Sequence, residues 1–502
     1  MTLGELDRRR LLKIGGALTL FGGAAPFGLQ LAAAGAASAT AALDYKAMVC
    51  VFLVGGNDGA NTVLATDDDS WGRYFATRNA GVVPIALMPV GTPPVAAGKF
   101  SPVTNRTVLP NTPETWGGVL PIIPNTPQPI PGTSGSTRTF ALHPFLGPLQ
   151  SLFQRNRLAV VTNLGPLVQP TTKAQFLAGA TPIPRNLFSH NDQQSTWQSG
   201  AIEGSKVGWG GAIADSLLSM NGANALFTTM APNSNPLFLT GQGVNPYVVN
   251  TGTQPANTIA STYHYDVIQD ATSTSDLAND YAAVVSRSIN SAATINNAVA
   301  QGAAAAIAAP PNYVSPFGGG SQVNGLAVQL RTVARLIAAA PQLGLRRQVF
   351  FVTLGTFDSH DNQNASQPDL LGQLAQALVY FDSVLSNVGG ADLSASVTTF
   401  TASEFGRTFT TNGTGTDHAW GSHHFVMGGA VRGGDIYGQY PTLGVDQGAF
   451  YNPDMAGNIL IPTSSVDQYG ATLATWFGVS PTDLSAIFPN LANFNSGNLG
   501  FI

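Results

Sequence analysis

The chain has 502 residues, 22 Lys+Arg against 27 Asp+Glu, a formal net charge of −5 and a charged fraction of 10%, well under the roughly 25% of an average soluble domain. With no Lys/Arg-rich run beyond the N-terminus, that balance argues against nucleic acid as a partner, and a single cysteine, Cys50, excludes an internal disulfide. The length suits one large α/β domain with insertions, or two to three domains, and polar positions filled by Asn, Thr, Ser, Gln and Gly suit an exported protein.

Residues 1–39 resemble a twin-arginine signal peptide. Asp7-Arg8-Arg9-Arg10-Leu11-Leu12-Lys13 precedes a Gly/Ala-rich apolar run over residues 14–31, and Ala37-Ser38-Ala39 suits signal peptidase. Such a signal engages the twin-arginine export machinery, which carries folded proteins, and implies a periplasmic or secreted product. Glycines and Pro26 weaken the run as an anchor, so cleavage near residues 39–42 is expected, with no stable membrane span after processing.

Residues 47–54 (AMVCVFLV) form a continuous apolar run, the pattern of a strand covered on both faces. Cys50 lies inside it and reads as a buried, inert thiol. Gly55-Gly56-Asn57-Asp58-Gly59 then turns the backbone and brings Asp58 to the strand's carboxyl edge. Residues 84–140, rich in Pro, Thr and Gly with Trp116 as an isolated aromatic anchor, read as an insertion. Residues 140–155 read as a helix entered through His143-Pro144, followed by a strand over 158–163.

In residues 185–197 (RNLFSHNDQQSTW) a hydroxyl, an imidazole, a carboxylate and several amides crowd together. Ser189 and His190 are adjacent, so their side chains do not face one another, and Ser189 as a nucleophile needs activation from elsewhere. A helix is expected over 208–220. Residues 221–320 read as a polar second insertion with an Ala-rich helix over 282–309 ended by Pro310-Pro311, and His264 reads as structural. The α/β rhythm returns with helix 323–340, strand 348–354, helix 369–385 and strand 396–402.

The strand at 348–354 ends at Gly355-Thr356-Phe357-Asp358-Ser359-His360, and the strand at 396–402 ends at Ser403-Glu404-Phe405-Gly406-Arg407. Asp417, His418, His423 and His424 follow, placing three of the chain's seven histidines within a few residues. In a parallel sheet all carboxyl ends share one edge, so Asp58, Asp358, His360, Glu404 and the later residues can meet there. Mixed carboxylate and imidazole ligation suits a divalent ion such as Zn²⁺ or Mn²⁺, and a more oxygen-rich shell suits Mg²⁺ or Ca²⁺. No G-x-G-x-x-G follows a strand, so a nucleotide cofactor has no cradle.

GGNDGANT, SHNDQQ, TFDSHDNQ, and SEFGRT followed by GTDHAWGSHHFVMGGAVRGG, with a late helix in ATLATWFGV, resemble in order the bacterial family known as domain of unknown function 1501. The resemblance runs from about residue 47 to the C-terminus, and it implies kinship with the alkaline phosphatase and sulfatase superfamily. The implied fold is an α/β, alkaline-phosphatase-like sandwich with a mostly parallel central sheet flanked by helices, a single domain over 40–502 with irregular insertions near 84–140 and 221–320. Carried over residue by residue, Asp58 is the first-strand metal ligand, Ser189 takes the nucleophile's place, and Asp358 with His360 forms an Asp/His pair at shorter spacing than usual.

Two registers follow for the last part. In one, Glu404 is a ligand, Phe405 stands where a ligating His belongs, and Asp417-His418 supplies the late histidine. In the other, Asp417-His418 is the Asp-His pair and His423 or His424 is the late ligand. Arg407 fits as a clamp for anionic oxygens, and His190 and Asn57 as second-choice ligands or oxyanion donors. The expected function is an exported metal-dependent hydrolase acting on phosphate or sulfate esters, small or polymer-borne. The alternative is a non-catalytic periplasmic or cell-surface binding or assembly protein that keeps the fold with a degenerate metal site.

Overall fold

The computed structural model describes residues 44–256, 275–445 and 454–502; the signal-peptide reading over residues 1–39 and His264 lie outside the described residues. The strands that matter are β1 Lys46–Val54, β2 Leu158–Gly165, β3 Thr229–Pro232, β4 Tyr247–Val249, β5 Arg347–Gly355, β6 Val397–Ala402, β7 Ser422–Met427, β8 Ile436–Tyr437 and β9 Ser464–Ser465. They form one sheet in the order β8-β2-β7-β6-β1-β5-β3-β4, with β9 beside β2. Only β7 runs against its neighbours, β6 and β2; the pairings of β1 with β5 and β6, and of β5 with β3, are parallel.

Helices cover both faces. Alternate residues of a strand point to opposite sides, and β1 divides accordingly: Ala47, Val49, Val51 and Leu53 enter one core, and Met48, Cys50 and Phe52 the other. The first core is completed by α2 Gly147–Gln154, α5 Asp276–Val299, α6 Gly325–Leu343 and α7 Gln363–Leu385, through residues such as Leu149, Ile295, Leu330 and Leu374. The second is completed by α3 His190–Ser199, α4 Trp209–Ser216 and α8 Val466–Phe477, through Trp197, Ile213 and Leu473. A strand sandwiched in this way is apolar over most of its length, which is why β1 is apolar from Ala47 to Val54 and β5 from Val349 to Val352. Burial raises the Cys50 thiol well above its ordinary range, leaving it unreactive.

Several boundaries differ from the sequence expectation. Residues 140–142 are a strand, not the first turn of a helix; they pair with Val63–Ala65 and Leu120–Ile122 in a separate three-stranded sheet that ties the Pro-rich insertion to the domain. Pro144 has no amide hydrogen to continue the ladder; it opens a single 3₁₀ turn, Pro144–Leu146, and α2 follows at Gly147. Trp116, in that insertion, packs on His143, Phe145 and Phe317. The Ala-rich helix begins earlier than expected and stops at Val299, because Gly302 takes a positive φ of 55° before a short turn, Gly302–Ala305. Residues 221–320 are also more than an insertion, since they supply β3 and β4 to the main sheet. Among the described residues, no helix is long and apolar enough to cross a membrane.

Candidate metal centre

The register pairs Val54 of β1 with Gly355 of β5, and Phe52 of β1 with Ala402 of β6. The loops after these three strands therefore leave at one edge. The segment after β2 leaves there as well, and β7, being antiparallel, enters there. Two glycines let the loops close on one another. Gly55 and Gly56 have φ of 113° and 86°, and an added Cβ would lie 2.3 Å from Asp358 N and 2.5 Å from the Phe405 ring respectively. Any other residue would push the loops apart.

At this edge His190, Asp358 and His418 each offer one ligand atom, all within 4.8 Å of one another. His190 Nε2 lies 3.5 Å from Asp358 Oδ2, and His418 Nε2 3.6 Å from Asp358 Oδ1. His360 adds its Nδ1 at 2.7 Å from Asp358 Oδ1. The His190 and His418 rings stand nearly perpendicular with centroids 4.4 Å apart, and the Phe405 ring packs on both, 4.8 and 4.5 Å away.

Hydrogen bonds on the far side of each ring fix its tautomer. His418 Nδ1 donates to the Phe188 carbonyl at 2.7 Å, and His190 Nδ1 donates to the buried Glu404 Oε1 at 3.0 Å. Each neutral ring is thereby left with a lone pair on Nε2. Both Nε2 atoms are buried and without a hydrogen-bond partner, an unusual state for an interior polar atom. Glu404 Oε1 also accepts from Gly55 N at 2.8 Å and from Gln194 Nε2 at 3.1 Å.

The electrostatics follow from these contacts. The Glu404 hydrogen bond raises the His190 pKa, and the charges of Glu404 and Asp358 reinforce it against partial burial. The same negative field favours any cation at Nε2. Burial lowers His418, more than its bond to Phe188 raises it, and the neighbouring Arg407 and histidines push the same way as burial. Partial burial alone would raise Asp358, but the Arg407 hydrogen bond and charge outweigh it and hold the carboxyl below its ordinary value.

A family model described as "Protein of unknown function (DUF1501)" matches residues 45–488, a span that includes every residue of this cluster. The chain belongs to the DUF1501 family. No curated protein matches it. Among solved structures, one described as Ps i-CgsB in complex with k-i-k-neocarrahexaose is similar at 9% identity, over 69% of this chain and 71% of that one, with a TM-score of 0.29. A superposition that loose carries no argument.

In this DUF1501 chain several residues singled out from the sequence serve elsewhere. Asp58, expected as the first-strand ligand, gives both carboxylate oxygens to Arg78, takes a further bond from Gln363 Nε2 at 2.6 Å, and caps the short turn Gly59–Asn61. Asn57 bonds Thr62 and Gln367. His423 and His424 lie inside β7: the first accepts from Asn163 N at 3.1 Å and stacks on Tyr440, the second packs on Trp197 beside Thr401, and burial lowers both to about 3. Asp417 is exposed and accepts from Asn412.

Glu404 holds His190 from behind and is not one of the three converging groups that could hold an ion. Ser189, expected as the nucleophile, is the N-cap of α3, its Oγ accepting from Asp192 N at 3.4 Å. Arg407 is buried and spends four of its five N–H donors within the protein. Its Nε donates to Gly56 O at 2.9 Å, its Nη1 to Thr416 O at 3.1 Å, and its Nη2 to Gly55 O and to Asp358 Oδ1. It buckles three loops together and fixes Asp358.

Gln194 is a part of the site that the sequence did not single out, and Phe405, expected only to stand where a ligating His belongs, packs on both imidazoles. Gln194 follows His190 at i+4, so a helix starting at Ser189 puts both on one face, and a serine N-cap before an acid two to three residues on was the available signal. Glu404→Gln should weaken divalent-ion affinity about 10–100-fold without unfolding the chain, the usual cost of removing a carboxylate behind a ligating histidine. Competition against a graded series of chelators measures this.

Proposed function

We propose that the chain is an exported metal-dependent hydrolase of phosphate or sulfate esters on an alkaline-phosphatase-like fold, acting in the periplasm or outside the cell. One observation carries the reading: two buried, unpartnered imidazole Nε2 atoms flank a carboxylate at the carboxyl edge of a mostly parallel sheet. Two histidines and one carboxylate suit a borderline divalent ion such as Zn²⁺ or Mn²⁺ better than Ca²⁺. His190, Asp358 and His418 would hold the ion, with His360 beside them.

A divalent ion there supplies Lewis acidity, lowering the pKa of water and neutralising charge on an ester oxygen. The chain's own groups do the rest. Glu404 and the Phe188 carbonyl orient the two imidazoles, Arg407 fixes Asp358, and Phe405 screens one side from solvent. Ser189 is engaged as a helix cap, so water is the attacking group in this reading.

The second reading, a binding or assembly protein, draws on Arg407. With four of its five donors taken by backbone carbonyls and Asp358 and its side chain fully buried, Arg407 is poorly placed to clamp a phosphoryl or sulfuryl group. The test is a panel of nitrophenyl phosphate, bis(nitrophenyl) phosphate and nitrophenyl sulfate, each with Zn²⁺, Mn²⁺, Mg²⁺ and Ca²⁺. Hydrolysis of at least one ester, abolished by chelator, is expected. Inactivity in every combination leaves the binding reading.

A further inference from the structure

A second chemically distinctive place lies at the other end of α3. Where that helix ends, near Ser199, a cavity of about 340 Å³ opens between α4, the start of α8 and the segment around Phe488, within the size range of small-ligand sites. Its walls include Trp209 and Phe488, whose ring centroids are 5.8 Å apart, together with Leu167 and Val466. Among these groups sits the carboxylate of Asp467, in the first turn of α8.

That carboxylate is poorly compensated. Asp467 is 9% exposed, and its side chain accepts one hydrogen bond, from Asn490 Nδ2 at 3.2 Å. Among the described residues no Lys, Arg or His forms an ion pair with it; the other charged residue lining the cavity, Arg185, is exposed to solvent. Burial raises its pKa to about 6, with the Asn490 bond opposing. At neutral pH the group is therefore mostly an anion held in a desolvated setting. The N-terminus of α8 favours a negative charge, but that benefit is available to an exposed carboxylate as well and does not account for a cavity.

We infer that this cavity is a binding site for an organic cation, an ammonium or guanidinium on an apolar body, with its charge against Asp467 and its body against Trp209 and Phe488. The aromatic faces add attraction for a cation, and the apolar walls exclude simple hydrated ions. His190 and Ser199 are the first and last residues of α3, about 13 Å apart at 1.5 Å per residue. The inference is thus independent of the metal centre and of any hydrolytic activity.

The experiment compares phenethylamine with phenethyl alcohol, which has the same body without the charge, on the full chain at pH 7.5 by thermal shift and titration calorimetry. The amine should raise the melting temperature and bind at least about tenfold more tightly than the alcohol, a difference of about 1.4 kcal/mol. Asp467→Asn should abolish that preference. This variant keeps an acceptor for Asn490 and removes a buried charge, so it is expected to fold. Equal binding of amine and alcohol would reduce the place to an apolar cavity. Preference for the amine that survives Asp467→Asn would put the binding elsewhere, and absence of any response to phenethylamine would overturn the inference.

Discussion

Asp358→Ala should leave a folded protein that no longer retains a divalent ion. Wild-type chain, loaded and then desalted, is expected to carry close to one ion per molecule by elemental analysis, and the variant essentially none. The affinity lost should be roughly a hundredfold or more, since structural zinc binding of about 10–16 kcal/mol is shared among a few ligands. Folding should be spared. The Asp358 side chain is 42% exposed, and removing it leaves Arg407 its three carbonyl acceptors, on Gly55, Gly56 and Thr416. A variant that holds the ion as tightly as wild type would place the ion elsewhere. A wild-type chain that retains none of the four divalent ions would end the hydrolase proposal.

Arg78→Ala should act in the opposite way, on stability and not on the ion. The Arg78 and Asp58 side chains are both fully buried and paired through two hydrogen bonds. Arg78 also donates to Asn61 Oδ1 and to the carbonyls of Phe409 and Thr408, at 2.9, 2.9 and 3.0 Å. Removing it leaves a buried carboxylate without its counter-charge and the Phe409 and Thr408 carbonyls without this donor, while Asn61 Oδ1 keeps the Tyr74 hydroxyl; breaking a buried pair from one side costs about 3–5 kcal/mol. Denaturant unfolding should show a midpoint shift of that size.

Asp58→Asn should also cost stability, since both carboxylate oxygens accept from Arg78 and an amide keeps one acceptor while turning a donor toward the guanidinium, and it should keep the ion. If Asp58→Asn lost the ion while remaining folded, Asp58 would return as a ligand, and its pairing with Arg78 would not be its main role.

These two predictions mark where the sequence was informative. β1 and β5 were legible because burial on both faces favours apolar runs, and β6, VTTFTA, because it is mostly β-branched; their parallel order follows from helices between them. The polar residues at their ends were legible as a group for the same reason, since chemistry collects at that edge. Which of them converge was not legible. Asp58 looks like a ligand until Arg78, contributed by a helix twenty positions on, takes both its oxygens. His423 or His424 looks like a late ligand until SHHFVM proves to be an antiparallel strand whose two faces are both buried. α3 was hidden because HNDQQSTWQS lacks an apolar stripe: its inward face is made of Gln193, Thr196 and Trp197, and its first turns are spent on Glu404 through His190 and Gln194.

Glu404 Oε1 receives the turn after β1 through Gly55 and α3 through both His190 and Gln194. Helix, turn and strand end are thus stapled at a single oxygen, and the opening between the two imidazoles has a width set by the scaffold. Were the proposed ion bound there, a jaw of fixed bite would discriminate by radius, accepting small ions content with few, short nitrogen bonds over larger ones that want six to eight oxygens. Selectivity among metals would then be a property of how one helix is fastened to one sheet.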